Sequence, residues 1–370
     1  MAGGEGARSR YAYNFCAGPA TLPRSVMRRV REEFAAHADD GASIVEISHK
    51  SPRFTALLES TVARLRELCG IPDGHHVLFV HGGARMQCSA VPLNLVSRSP
   101  SRTSGYVETG LFARQARAEG ARHGTAAVIA SSADTGFDRI PPVRPEDCPP
   151  DAAYVHLTSN NTVYGTRWHS FPHGLPAPLV ADATSDILSR RLDFSRFGVV
   201  YAGFQKNLGP SSLALVVIRD DLLGHALPGT PLLLDYAVYA ESRSLHNTPN
   251  TFALFVLSLV LDWVREQGGL DAVERANRDK ADLLYRELDR SALYRSTAHP
   301  GHRSVTNITF RLPDAPATAD FLRRAEAEGL RGLAGHRSVG GIRASVYNGM
   351  PPAGVRALAG FLREYERSHG

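Results

Sequence analysis

Tyr201-Ala-Gly-Phe-Gln-Lys-Asn-Leu-Gly-Pro210 follows the apolar pair Val199-Val200 and closes on a Gly-Pro break. The pattern reads as a buried strand that delivers one lysine, Lys206, into a tight turn at its end. Only three lysines occur in the chain, Lys50, Lys206 and Lys280, and arginine carries nearly all the remaining positive charge. Lysine does one thing that arginine does not: once desolvated, its amine sheds a proton near neutral pH and attacks carbonyls. Lys206 is therefore a candidate Schiff-base lysine, with burial at the strand end as the force that lowers its pKa. An ordinary strand-end lysine is the competing reading, and position alone favours it.

The 370 residues are enough for a large α/β unit with a smaller companion. With 43% hydrophobic and 21% charged residues the chain has the balance of an ordinary folded globule. Its net charge of +5 is not gathered into a basic block with interleaved aromatics, which argues against a nucleic-acid partner. Cys16, Cys69, Cys88 and Cys148 stand far apart without a Cys-x-x-Cys, so no metal site is expected. Residues 1–10 are rich in Gly, Ala, Arg and Ser and lack the apolar centre of a signal peptide. They read as a disordered tail on a cytoplasmic chain with reduced thiols. The most apolar stretch, residues 252–261, is too short to cross a bilayer and reads as a buried helix, so no membrane partner is expected.

Short apolar runs alternate with helical patterns through the first two thirds of the chain. Pro23 followed by Val26, Val30 and Phe34 marks an amphipathic helix with proline near its start. Residues 77–80, 154–157, 179–181, 199–202 and 213–218 read as buried strands, and the first runs into His81-Gly-Gly-Ala-Arg85 and a helix. This predicts an α/β fold with a mostly parallel sheet and helices on both faces. After an apolar helix over residues 251–265 the pattern changes at Gly268-Gly269. A polar helix (270–288), an alternating strand with Thr306, Ile308, Phe310 and Leu312 on one face, and amphipathic helices near 319–328 and 354–366 follow. The expected division is a large domain over residues 11–267 and a small C-terminal α+β domain over 268–370.

A lysine that binds pyridoxal phosphate needs three further things: an anion cradle, a partner for the ring nitrogen, and a face to stack the ring. Gly82-Gly83-Ala84-Arg85 sits at a strand-to-helix turn, where backbone N–H groups and a helix N-terminus attract phosphate. A plain tight turn is the alternative. Asp182 ends the strand at 179–181, where its carboxylate either keeps a pyridine nitrogen protonated or caps Ala183-Thr184. Phe112 either lies over the ring or belongs to the core.

Several segments recur together in one order over nearly the whole chain. They are Asn14-Phe-Cys-Ala-Gly-Pro-Ala-Thr-Leu-Pro23, Glu46-Ile-Ser-His49, His81-Gly-Gly-Ala-Arg85 with Ala90-Val-Pro-Leu-Asn94, and Ile187-Leu-Ser-Arg190. The Lys206 segment, Asn247-Thr-Pro-Asn-Thr-Phe252, and Gly335-His-Arg-Ser-Val-Gly-Gly-Ile-Arg343 with Tyr347-Asn348 complete the set. From about Tyr13 onward the chain resembles the phosphoserine aminotransferases of the class V aminotransferase group. The resemblance implies a fold-type-I pyridoxal-phosphate enzyme, a homodimer with shared active sites. Lys206 and Asp182 would be catalytic, the first bonding the cofactor aldehyde and shuttling a proton, the second pairing with the pyridinium. Ala84, Arg85, Thr184 and Gln205 would hold the cofactor phosphate, with Asn247 and Thr248 reaching it from the other subunit. Thr162 would lie near the phenolic oxygen and Phe112 against the ring. His336 and Arg337 match the substrate-phosphate cluster, joined by His49, Lys50 and Arg85 from the partner chain. Arg343 matches the position that takes the α-carboxylate.

The chain departs from the family pattern in places. Lys50 stands where arginine is usual, which turns a two-point contact into a one-point contact. Phe112 stands where bacterial members often carry tryptophan, Ala84 replaces a glycine, and Asn161 and Ala183 alter two turns. Lys206, Asp182, Gln205 and Arg343 all remain. The implied reaction transfers the amino group of L-glutamate to 3-phosphohydroxypyruvate, giving O-phospho-L-serine and 2-oxoglutarate for serine biosynthesis. Lys50 and Phe112 keep open the same chemistry on a related anionic 2-oxo acid: a phosphonate, a sulfonate, or the vitamin B6 precursor 3-hydroxy-2-oxo-4-phosphobutanoate. A cofactor-binding protein without turnover is a third reading. Cys88 and Cys148 carry no desulfurase signature.

Overall fold

The structure is a computed structural model that describes residues 12–35 and 41–369; the expected tail, residues 1–10, lies outside them. Strand β1 (Tyr13–Asn14) comes first, then helices α1 (Arg24–Ala35) and α2 (Pro52–Cys69). As the spacing predicts, Pro23 immediately precedes α1, and Val26 and Val30 are buried; Phe34, the third apolar position, is instead exposed. Strands and helices then alternate: β2 (His75–His81), α3 (Gly83–Leu95), β3 (Thr103–Glu108), α4 (Leu111–Gly120), β4 (Thr125–Ser131) and β5 (Val155–Thr158). A small hairpin of β6 (Asn160–Asn161) and β7 (Thr166–Arg167) precedes β8 (Leu179–Asp182), β9 (Val199–Gly203) and β10 (Leu213–Arg219).

Seven of these strands form one sheet in the order β2-β10-β9-β8-β5-β3-β4. The pairs β9–β8, β8–β5, β5–β3 and β3–β4 are parallel, whereas β10 runs antiparallel to both of its neighbours. Two antiparallel steps return β2 to the direction of β9, so six strands point the same way. Both faces are covered, and β10 displays this most clearly. Leu213, Leu215 and Val217 join a core that also holds Leu254 and Leu257, while Ala214, Val216 and Ile218 join the core on the α3 side. A run buried on both faces reads as continuous apolar sequence, which is why 213–218 is legible as a strand while its direction is not.

Helices α5 (Tyr236–Glu241), α6 (Thr251–Glu266) and α7 (Gly269–Asp289) follow. Asn250 caps α6 by accepting the Ala253 N–H at 2.9 Å, and every residue of α6 from Ala253 to Leu261 is buried. Beyond α7 come β11 (Arg295–Ser296), β12 (Asn307–Arg311), α8 (Ala315–Ala327), β13 (Leu330–Arg331), β14 (Ile342–Ser345) and α9 (Pro352–His369). Strands β11, β12 and β14 form an antiparallel sheet over a separate core that holds Ile308, Phe310, Phe321 and Leu362. Phe15 packs into that core, and β1 pairs in parallel with β13. Among the described residues no helix is long and apolar enough to cross a membrane.

Candidate active site

Because β2, β3, β5, β8 and β9 share a direction, their C-terminal ends meet at one edge of the sheet. That edge is where open α/β sheets bind ligands. A cavity of about 290 Å³ lies there. Each strand end supplies part of its wall: Ala84, Arg85 and Cys88 after β2; Phe112 and Gln115 after β3; Thr158, Asn160 and Thr162 from β5 onward. Asp182, Thr184 and Ser185 follow from β8, and Gln205 and Lys206 from β9. Ala17, Gly18, His336 and Arg343 close it from the other side.

Lys206 is 6% exposed, and its Nζ donates a hydrogen bond to Thr162 Oγ1 at 2.7 Å. Burial lowers the amine from its ordinary range to about 8; Asp182 partly opposes that shift and Arg343 adds to it. Thr162 Oγ1 passes its own hydrogen to Ser185 Oγ at 3.0 Å, and Ser185 Oγ donates to Asn160 O at 2.8 Å. The Phe112 ring centre stands 5.8 Å from Lys206 Nζ.

Asp182 Oδ1 accepts both the Thr184 N–H (2.9 Å) and the Thr184 hydroxyl (2.5 Å). The turn-capping role is thus real, and it coexists with a place in the cavity wall because both bonds fall on Oδ1 and leave Oδ2 for a ligand. Burial raises this carboxyl, while the Thr184 bonds and the Lys206 charge pull it back. The Gly203 N–H donates to Thr184 Oγ1 at 3.2 Å and ties the ends of β8 and β9 together.

The Gly82-Gly83 turn joins β2 to α3, as its sequence predicts. Gly82 and Gly83 both have positive φ, +82° and +64°, and a Cβ on Gly82 would lie 2.7 Å from the Met86 side chain. The chain enters α3 at that point, so the first-turn N–H groups near Ala84 and Arg85 face the cavity end of the helix. On the opposite wall the Arg343 Nε is buried and has no hydrogen-bond partner among the described residues. A buried donor without a partner is costly unless a ligand acceptor completes it. The Ser338 N–H donates to His336 Nδ1 at 3.2 Å, which leaves Nε2 as the protonated nitrogen of the neutral ring.

Of the residues singled out in the sequence, Ala84, Arg85, Phe112, Thr162, Asp182, Thr184, Gln205, Lys206, His336 and Arg343 line this cavity. His49, Lys50, Asn247, Thr248 and Arg337 do not; the last four are exposed. Arg85, expected both at its own chain's turn and at a partner's site, lines the cavity of its own chain. Sequence reading passed over Thr158, Asn160, Ser185, Cys88 and Gln115. Helical spacing was a usable signal for two of them, since Cys88 lies four residues after Ala84 and Gln115 three after Phe112. Burial pushes the Cys88 thiol up to about 12, so it stays protonated and is no nucleophile. Among the described residues no cluster of His, Cys, Asp or Glu is arranged to hold a metal ion.

A family model described as aminotransferase class-V matches residues 12–358. The phosphoserine aminotransferase of Geobacillus kaustophilus (strain HTA426) is 46% identical over 357 residues, covering 96% of this chain and 98% of that protein. The solved phosphoserine aminotransferase from Bacillus circulans subsp. alkalophilus is 42% identical with a TM-score of 0.94, covering 98% of this chain and 100% of that one. A PLP-bound phosphoserine aminotransferase from Trichomonas vaginalis is 32% identical with a TM-score of 0.90, covering 95% and 99%. The chain belongs to the class V aminotransferase family, with the fold-type-I architecture of its relatives. Within that family, its near-full-length likeness is to the phosphoserine aminotransferases.

Proposed function

We propose that the protein is a pyridoxal-phosphate-dependent transaminase. It moves the amino group of L-glutamate to 3-phosphohydroxypyruvate, giving O-phospho-L-serine and 2-oxoglutarate for serine biosynthesis. The observation that carries this reading is the convergence of Lys206, Asp182 and Arg343 on one cavity at the strand ends. The relatives' names, which specify phosphoserine, favour 3-phosphohydroxypyruvate over the phosphonate, sulfonate and vitamin B6 alternatives.

The residues present fit the cofactor. A buried amine at about 8, a carboxylate with one oxygen uncommitted, a positive-φ Gly-Gly turn at a helix N-terminus and an aromatic face surround one space. Lys206 would hold its aldehyde, Asp182 its ring nitrogen, and Phe112 its ring. The α3 turn at Ala84 and Arg85, with Thr184 and Gln205, would hold its phosphate, and Thr162 would stand by its phenolic oxygen. When bound, the cofactor supplies an aldehyde that bonds amines and a ring that accepts the electron pair released at the substrate Cα.

The chain's own residues do the rest. Lys206 Nζ, desolvated and steered by Thr162, is the base that takes the proton at the substrate Cα. Asp182 supplies the negative charge that keeps a proton on a ring nitrogen. Arg343 grips the α-carboxylate with its two-point fork, as both amino donor and acceptor require. His336 Nε2–H would face the distal anion of the substrate from the cavity wall, and Arg337, exposed beside it and outside the cavity, would have to turn inward to join it.

We infer a homodimer with shared sites. His49, Lys50, Asn247 and Thr248 stand away from this chain's cavity, and a second copy would bring them to it. Val45 and Met86, neighbours in sequence of His49 and Arg85, are 51% and 41% exposed, an apolar cost that a partner surface relieves. A cytoplasmic setting is in keeping with four free cysteines. The test compares kcat/KM for 3-phosphohydroxypyruvate, its phosphonate analogue and an unphosphorylated 2-oxo acid, with glutamate as donor. The phosphorylated substrate should lead by about a hundredfold or more, the worth of a desolvated multi-cation anion site. Equal constants would contradict the assignment.

A further inference from the structure

Lys280 is the second buried lysine of this chain, and the transamination chemistry gives it no task. It lies on α7, 5% exposed, and among the described residues no carboxylate pairs with it. Its Nζ donates instead to two main-chain carbonyls, Tyr347 O at 2.7 Å and Met350 O at 3.2 Å. These two oxygens bracket a four-residue turn that the Met350 N–H closes by donating to Tyr347 O at 3.0 Å. One helical turn earlier on α7, Asn277 Nδ2 donates to Asn348 Oδ1 at 2.9 Å. Helix α7 therefore grips residues 347–350 at three points.

That turn does not line the cavity itself but packs directly behind the residues that do. The Tyr347 ring centre lies 6.0 Å from Lys206 Nζ, and its hydroxyl donates to Ala17 O at 3.0 Å, beside the cavity. The Asn348 N–H donates to the side chain of Asn207, the residue after Lys206, at 3.2 Å. The backbone is closely packed here too: a Cβ on Gly349 would fall 2.3 Å from Thr21 O. Movement of the turn thus moves the surroundings of Lys206 on two sides.

We propose that Lys280 is a positioning residue for Lys206: its paired bonds to Tyr347 O and Met350 O fix the 347–350 turn that packs against the catalytic amine and its neighbour Asn207. The role explains why lysine stands here in a chain that otherwise prefers arginine. Burial alone lowers this amine to about 7. A neutral amine has two N–H groups, matching the two carbonyls, and needs no counter-ion. Arginine would bury a permanent charge with no partner.

The proposal rests on the reading of Lys206 above, and its test separates the two. Lys280→Met, of similar length but without a donor, and Lys280→Gln, shorter but with N–H groups, are compared with the parent chain. Turnover is counted per site loaded with pyridoxal phosphate, well below the melting temperature. The methionine variant should keep its visible cofactor band but shift that band's pH midpoint. Its kcat should fall about tenfold, the cost of a sub-ångström misplacement of a catalytic group. KM for the oxo acid should stay within about threefold, because no substrate contact is removed. The glutamine variant should fall between the two. Amide exchange in the cofactor-free chains gives a readout independent of activity: Met350 N–H should be protected in the parent and exchange faster in both variants. A lower melting temperature with unchanged kcat per loaded site, band midpoint and Met350 exchange, in either variant that folds, overturns the proposal and leaves Lys280 a structural residue only. If the parent chain shows no cofactor band, the reading of Lys206 fails instead, while the exchange result still decides whether Lys280 fixes the turn.

Discussion

Lys206 Nζ and Thr162 Oγ1 stand 2.7 Å apart, and the bond between them sets the direction of a whole polar chain. Thr162 accepts from the amine and so gives its own hydrogen to Ser185, which gives its hydrogen to Asn160 O. The amine of a flexible side chain is thereby held on one wall of the cavity by a string of buried hydroxyls.

Thr162→Val keeps the shape and removes the acceptor. A hydrogen bond to a group that carries charge during the reaction contributes about 1.5 kcal/mol or more, so kcat should fall about tenfold or further. Steady-state kinetics with both substrates saturating is the check. Turnover equal to that of the parent would show that Thr162 does not steer the amine.

The pH dependence of cofactor capture follows from the Lys206 amine lying near 8 rather than in its ordinary range. Only the neutral amine attacks an aldehyde. The rate at which cofactor-free protein takes up pyridoxal phosphate should therefore rise about tenfold per pH unit below 8 and level off above it. Asp182→Asn removes the charge that props the amine up, so its plateau should begin at lower pH. The same variant should lose transamination by about a thousandfold, the usual cost of a lost electrostatic stabiliser. Capture and turnover thus move in opposite directions at neutral pH, a pattern that general misfolding does not produce. Stopped-flow absorbance and steady-state assays read the two rates.

Arg343→Lys preserves charge and loses the planar fork. Both glutamate and the oxo acid present a carboxylate, so kcat/KM should drop about ten- to a hundredfold for each, with the cofactor band intact. A loss confined to one substrate would place Arg343 elsewhere in the reaction.

Asp186 anchors the site from below. It is 1% exposed and pairs with Arg190 at 2.8 Å and Arg167 at 3.2 Å, two arginines that are themselves buried. Burial alone would raise its carboxyl, but Arg190 and Arg167 prevail and hold it down at about 2. A carboxyl with a depressed folded pKa adds stability above its unfolded value of 3.8, and that stability drains away as pH falls through about 2. Asp186→Asn leaves two guanidiniums without an anion and should cost about 3–5 kcal/mol at neutral pH. Its stability should also change less than the parent's between pH 4 and 2, as denaturant melts across that window will reveal.

How much of this was readable in the residues depends on what each segment advertises. Residues 199–202 and 213–218 are buried on both faces and announce themselves as strands. Strand β3 hides, because Ser104 and Glu108 are polar yet buried, the latter held by Arg117 at 2.5 Å. Strand β4 hides because it is the sheet edge and stays partly exposed. The antiparallel course of β10 leaves no mark, since six apolar residues read the same in either direction. Lys206 and Asp182 are legible because each closes an apolar run with a chemically loaded side chain. Asn160 and Ser185 are not, since only the register that sets Thr158 beside Asp182 brings those two loops together. His49, Lys50, Asn247 and Thr248 were expected at the site from motif order alone, and this chain leaves all four outside its cavity.

Everything in the mechanism hangs on which amine the cofactor chooses. Protein loaded with pyridoxal phosphate is reduced with borohydride, digested and sequenced by mass spectrometry. The mass of the reduced pyridoxyl group should fall on Lys206 at close to one per chain, with Lys280 and Lys50 unlabelled. Label on either of those lysines, or a loaded protein that takes up none, would contradict the account.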